Sequence, residues 1–273
     1  MRKHNILIVF IIIFFLFAIN ATTHSQTFNQ CALTIGSKII RHGTIHQSIL
    51  GVYLIDSEIS SVSEVVDIND NLMTIASVTD SYSVITVRGE EQILYTRIET
   101  TTVVDITTFK IVSQTGFITK NGKKEEYKPI PSMIDSYYWV PPTVNVGDAI
   151  VLSGLKYGVV GEGSYTAVGR VFDCWILERL EDTQYNTPLG PIKIKTTVYV
   201  DKKTGISIAT KFEVVAPKGI ESYGLEASGE GLIEITEYHN VAWDCEGFGG
   251  ELRTDLYVRI DSCPPPFIKI GKE

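Results

Sequence analysis

Between Ile192 and Val214 the chain alternates at period two. Ile192, Ile194, Thr196, Val198 and Val200 share one side, and Lys193, Lys195, Thr197, Tyr199 and Asp201 the other. After D-K-K-T-G the alternation resumes in Ile206, Ile208, Thr210, Phe212 and Val214. Successive side chains of a strand point to opposite faces, so this pattern predicts two half-buried antiparallel strands. Asp201 can bond the turn backbone and Gly205 can take a positive φ, so the break reads as a hairpin turn.

The same reading extends along the chain. Strands are expected at Ser37–Ile40, Ser48–Ile55, Ser63–Ile68, Leu72–Val78, Ser83–Val87, Gln92–Glu99 and Thr100–Val112. Turns fall at Asn69–Asn71, at the T-D-S between Val78 and Ser83, and at Gly89-Glu90, with His42–His46 in or beside another. Lys120-Asn121-Gly122-Lys123 carries the Asn-Gly hairpin signal and pairs Thr115–Thr119 with Glu125–Lys128. A second run begins at Val146–Asp148 and continues through Ala149–Tyr157, Tyr165–Leu180, Pro191–Val215, Leu232–Tyr238 and Leu252–Ile260. Gly169 marks a bulge or bend in the overlong Tyr165–Leu180. The helical candidate is Pro131–Tyr138, between Pro131 and Pro141-Pro142.

Strands recurring with turn signals predict a mainly β protein. Its form is a curved antiparallel sheet, a half-barrel or two meander halves, with at most one or two short helices. R-G-E-E-Q-I-L-Y-T-R-I-E at Arg88–Glu99 can be set against R-V-F-D-C-W-I-L-E-R-L-E at Arg170–Glu181. Val103–Asp105 then meets Tyr199–Asp201, which suggests two similar halves, about 48–128 and 146–240, in one domain over 26–261. Pro264-Pro265-Pro266 ends the pairing and leaves 262–273 as a tail.

The first residues change the picture from fold to location. M-R-K-H-N followed by the apolar run Ile6–Ile19 has the form of a secretory signal peptide over 1–25. The competing reading is an uncleaved anchor, for which the run is short. Cleavage is favoured, and the expected location is secreted or at the extracytoplasmic surface, with membrane attachment only through an uncleaved leader. The whole chain carries a formal charge of −8; loss of Arg2 and Lys3 with the leader takes it to about −10. With no Lys/Arg run, this balance argues against nucleic acid and anionic membrane as partners.

Candidate chemistry is sparse. Cys31, Cys174, Cys245 and Cys263 fit no zinc spacing; after export they allow two disulfides, with Cys245–Cys263 slightly preferred because the pair flanks an expected hairpin. His42 and His46 lack a third metal ligand nearby. Asp67, Asn69, Asp70 and Asn71 have oxygen ligands but neither the glycine nor the distal glutamate of a calcium loop. Gly158, Gly161 and Gly163 are followed by no Lys-Ser/Thr and no helix, so they read as turns and bulges between strands. His239 and Asp244 could join a serine on paper, but no G-x-S-x-G is present. No catalytic residue, cofactor or metal is assigned. Trp139, Trp175 and Trp243, with Tyr138, are the candidates to line an apolar trough, the alternative being that they fill the core.

V-Y-V-D-K-K-T-G-I-S-I, at Val198–Ile208, resembles the strand–turn–strand of exported proteins with a LolA/LppX-like fold. The resemblance covers about two dozen residues and implies a curved antiparallel half-barrel, closed on one side by helices, that shelters acyl chains or other lipids. This chain departs from it in showing one short helix at most. The expected function is therefore an exported, non-catalytic protein binding an apolar or lipid-like ligand, with a structural or adhesive surface role as the alternative and an extracellular hydrolase as a distant one.

Overall fold

The computed structural model describes residues 32–49, 53–87, 89–106, 111–127, 144–152, 155–180, 183–187, 190–216 and 227–244. Thirteen strands make up one antiparallel sheet, and no helix occurs among the described residues. In chain order they are β1 (Leu33–Ile49), β2 (Tyr53–Asn69), β3 (Leu72–Val87), β4 (Glu90–Asp105), β5 (Ile111–Lys120), β6 (Lys123–Glu126), β7 (Ala149–Leu152), β8 (Leu155–Ala167), β9 (Arg170–Arg179), β10 (Thr183–Thr187), β11 (Gly190–Asp201), β12 (Ser207–Val215) and β13 (Ala227–Val241). The order across the sheet is β6-β5-β4-β3-β2-β1-β13-β12-β11-β9-β8-β7, with β10 on β11. Each half of the chain is thus a meander, and the first and last strands join the two. The edges, β6 and β7, are neighbours in sequence.

Register defines the two faces, because cross-strand partners share one. Val159, Leu177, Val198, Thr210, Ile233, Gly43, Ile59, Ser81 and Thr96 are successive partners on nine adjacent strands. Every one of them is buried. The adjoining row, Tyr199, Ala209, Glu234, His42, Ser60, Asp80 and Arg97, meets solvent everywhere except Ala209. The first face is enclosed; the second is solvated over most of the sheet, but at the β8–β9 end its Ala167, Phe172, Cys174 and Asp201 are buried too.

The sheet is strongly curved. The Tyr165 hydroxyl on β8 lies 2.6 Å from a Glu234 carboxylate oxygen on β13, four places away in the strand order. A flat sheet would separate them by about 19 Å. Glycines permit the bend where β1 meets β13. A Cβ on Gly43 would stand 2.2 Å from the Leu232 carbonyl oxygen, and one on Gly229 would stand 2.7 Å from that of His46. At the end bearing the β2–β3 and β11–β12 turns, Met73, Ile75, Val104, Ile208, Ile235 and Trp243 belong to one buried cluster.

The predicted hairpin is present: Ile194, Thr196, Val198 and Val200 are buried on β11, and Ile206, Ile208, Thr210, Phe212 and Val214 on or just before β12. Asp201 accepts bonds from the Thr204 backbone N–H (2.9 Å) and hydroxyl (2.6 Å). Asn121 and Gly122, at φ 46° and 81°, turn β5 into β6 as expected.

Several expected boundaries are corrected. His42–His46 lies inside β1 rather than in a turn, because Gly43 is held opposite Ile233 and Ile59. Ser48–Ile55 is not one strand: β1 ends at Ile49 and β2 starts at Tyr53. T-D-S continues β3, since Asp80 faces the solvated side and receives the Arg97 guanidinium at 2.9 Å. Gln92–Glu99 and the start of Thr100–Val112 form one strand, broken only after Asp105. Ala149–Tyr157 is split between β7 and β8, and Val146 precedes β7 in a turn. Gly158, Gly161 and Gly163 lie within β8, with a register shift between Val159 and Gly161. Val168-Gly169 is a complete hairpin turn, with φ 48° and 73°. The duplicated pattern falls on β4 in the first half and on β9 and β11 in the second. The helix at Pro131–Tyr138, the strand Leu252–Ile260 and the tail lie outside the described residues.

Candidate functional site on the enclosed face

The enclosed face of β2 and β3 is hydroxyl-rich. Ser57, Ser61 and Ser63 occupy inner positions of β2, and Ser77, Thr79, Ser81 and Ser83 those of β3. Period two and the register bring them together as rungs: Ser57 with Ser83 at 2.8 Å, Ser61 with Thr79 at 3.1 Å and Ser63 with Ser77 at 3.0 Å. Farther along, Gln114 on β5 donates to Thr102 on β4 at 3.0 Å. Polar groups on an enclosed face need such partners.

Arg41 stands directly opposite Ser61 on β1. It shares a side with Ile39, Gly43, Ile45 and Gln47, all buried, and its guanidinium donates to the Ser207 carbonyl at 3.3 Å. Arg41, Ser61, Ser63, Ser77, Thr79 and Thr100 are half-buried, whereas Ile59, Ser81 and Thr96 on one flank and Val65, Ile75 and Thr102 on the other are buried. They form a polar, partly accessible island within a closed surface.

Charge is sorted between the faces. Among the described residues of β3, β2, β1, β13, β12 and β11, six neighbours in the sheet, Arg41 is the single charged residue on an inner position. The solvated face carries the ion pairs Lys38–Glu64 at 3.6 Å and Arg97 with Asp80 at 2.9 Å and with Glu99 at 3.0 Å, beside the histidine–carboxylate contacts His42–Glu58 at 3.5 Å and His46–Asp56. The hydrogen bond to Arg97 lowers the Glu99 pKa, and the bond to Asp80 raises that of Tyr95. On the enclosed side Tyr157 is pushed up to about 12 by burial, since a phenolate is disfavoured away from water.

Of the sequence candidates, the two described tryptophans are not brought together. Trp175, cross-strand from Val200, packs against Val159, Leu177 and Val198. The Lys202 ammonium lies 4.7 Å from its ring centre and pairs with Glu162 and Asp173 at 2.7 and 3.0 Å. Trp243 is buried edge-on against Phe172 and Tyr238, at 4.9 and 5.4 Å between ring centres. Phe172 has the opposite parity on β9 from Trp175, so the two indoles flank that strand from its two sides. Tyr138, Trp139, Cys245 and Cys263 lie outside the described residues. Cys174 is a free, fully buried thiol with its pKa pushed up to about 12 by desolvation.

His239 pairs with Glu237 at 2.7 Å, and Asp244 receives Arg170 at 2.7 Å. No group of three or more His, Cys, Asp or Glu residues able to hold a metal occurs among the described residues. The hydroxyl rungs and Arg41 escaped the sequence reading. Their signal was S-x-I-x-S-x-S from Ser57 and S-x-T-x-S-x-S from Ser77, the same period two carried largely by polar residues.

No family model matches the chain, and no curated protein matches it in sequence. Among solved structures it is similar to a candidate exported protein with a YmcC-like fold from Bacteroides fragilis, at 9% identity and a TM-score of 0.31, over 78% of this chain and 99% of that one. It is also similar to a candidate lipoprotein from Parabacteroides distasonis, at 9% identity and 0.31, over 79% and 100%. A third is a β-barrel-like protein of the domain of unknown function DUF1849 from Brucella abortus, at 12% identity and 0.25, over 76% and 100%.

Proposed function

We propose that this is an exported, non-catalytic protein that holds an apolar or lipid-like molecule against the enclosed face of an open, curved sheet. The observation that carries the reading is a partly accessible island surrounded by Ile39, Ile59, Val65, Ile75, Ile98 and Ile235. Apolar walls with a few convergent polar groups are the usual make-up of a small-molecule site. Export is supported by the basic start and short apolar run of the leader. The LolA/LppX-like resemblance of Val198–Ile208 points to the same ligand class.

An adhesive role through strand addition has less support at β6, whose Lys-Lys-Glu-Glu is exposed at all four positions; charge on an edge discourages pairing. Native mass spectrometry of the protein purified from its own host tests the proposal. A single copurifying amphiphile is expected. A bare mass, together with no uptake of added long-chain lipid, would overturn it.

A further inference from the structure

We propose that the tip of the β8–β9 hairpin, residues 164–172, is a flap that closes the turn-bearing end of the buried cluster and opens to admit an apolar ligand. The entrance rests on the ligand class proposed above; the flap itself does not.

Three features set the tip apart from the sheet. The first is its backbone. β9 pairs with β11 only from Cys174, opposite Asp201, with one further bond from the Lys202 N–H to the Asp173 carbonyl at 2.8 Å. Beyond it, residues 170–172 pair with β8 alone among the described residues. Likewise β12 leaves β13 after the Ala209–Glu234 pair, so residues 235–241 keep only β1 as a strand neighbour among the described residues. The tip projects past the β11–β12 turn and meets this uncovered stretch of β13 through side chains.

The second is the alternation of its surface. Tyr165, Ala167, Phe172 and Cys174 are buried or half-buried, whereas Ser164, Thr166, Val171 and Asp173 are exposed. Few groups hold the docked side. The Tyr165 hydroxyl donates to Glu234 at 2.6 Å, and Phe172 meets the Trp243 ring edge-on, at 4.9 Å between ring centres. Arg170 pairs with Asp244 at 2.7 Å at the surface, where such pairs hold weakly. Ala167, Phe172 and Cys174 share one buried cluster with Ile39, Val65, Ile75 and Ile235, four of the residues around the polar island. Lifting the tip would uncover that cluster from its end.

The third is what closure costs. The Trp243 indole packs against Phe172, is 3% exposed, and its N–H has no hydrogen-bond partner among the described residues. A buried donor without a partner is unfavourable, and water reaching it in the open form would satisfy it. In the turn itself Val168 stands at φ 48°, a conformation that β-branched residues resist and asparagine tolerates. Its side chain packs against the same buried cluster. Docking of the tip thus accounts for a valine where the hairpin alone would favour asparagine.

The test is the rate at which iodoacetamide labels Cys174 in the native mature protein, read by peptide mapping. Beside it, uptake of the apolar probe phenylnaphthylamine is followed by fluorescence. The wild type should label slowly. Y165F removes the bond to Glu234, and V168N keeps the turn but removes the apolar contact. Each should label roughly tenfold faster or more, as expected of eased local opening, and take up the probe several-fold faster. V168N should do so without a lower urea midpoint, because asparagine suits the turn; a purely structural role would couple the two. Labelling that is unchanged in both variants, or that quickens only in step with a lower urea midpoint, would overturn the flap. Faster labelling with probe uptake as in the wild type would overturn the entrance and leave the ligand reading standing. Binding of no probe by any form would overturn that reading and the entrance with it, while the labelling rates still decide the flap.

Discussion

A Cβ at Gly43 has nowhere to go. It would lie 2.2 Å from the Leu232 carbonyl oxygen and 2.6 Å from the Ile233 Cα, both backbone atoms of β13. G43V should therefore cost about 3 kcal/mol or more, read as a lower urea midpoint, because the clash cannot be relieved by rotating a side chain. Two other residues report on the interior through pH. Tyr157 and Cys174 titrate at about 12 in the folded chain, above their ordinary values near 10 and 8.5–9. The unfolded chain thus releases these protons first as pH rises. Stability is intact below about pH 8.5 and should fall progressively towards pH 12, by roughly 2–3 kcal/mol for Tyr157 alone. Unfolding curves at pH 8 and 11 check this, and Y157F should flatten the upper part of the loss. In the native protein at neutral pH, Cys174 should resist iodoacetamide until denaturant is added, as peptide mapping would show.

At the scale of elements, the β11–β12 turn and the strands beside it were readable because polar and apolar residues alternate there without interruption. Asp201 had a visible task, and the structure gives it two bonds from Thr204. D201A should lower stability by about 1–2 kcal/mol, and D201N, which keeps one acceptor, by less; thermal melts would separate them. Elsewhere local composition misled for a definite reason. Thr79-Asp80-Ser81 has the residues of a turn, yet Asp80 lies under Arg97 and Thr79 completes a hydroxyl rung with Ser61, so long-range pairing overrides local preference. Gly43 and Gly161 looked like breaks, whereas the strands run through both. The tryptophans drew attention as large residues; the rungs are made of small hydroxyls, whose period two is legible only once the register between β2 and β3 is known.

At the scale of the whole molecule, a curved antiparallel sheet followed directly from the recurrence of strands and turns. What did not follow was which strands adjoin. The pairing of Leu33–Ile49 with Ala227–Val241 leaves no mark in either segment, because both would fit any edge with the right alternation. This junction joins the two meanders, and Ile45 faces Gly231 there. Removing residues 227–273 should strip β1 and β12 of their shared neighbour and abolish cooperative unfolding of the remainder, a loss measurable by circular dichroism on heating. Retention of a sharp transition would mean that the first meander is self-sufficient.

That junction also sets an order in time. Because the opening strand needs the closing one, a chain emerging from its amino end has no finished structure to offer until nearly all of it has been delivered. Contacts so remote in sequence form late and slowly. Such a polypeptide stays incomplete until its closing strand is available.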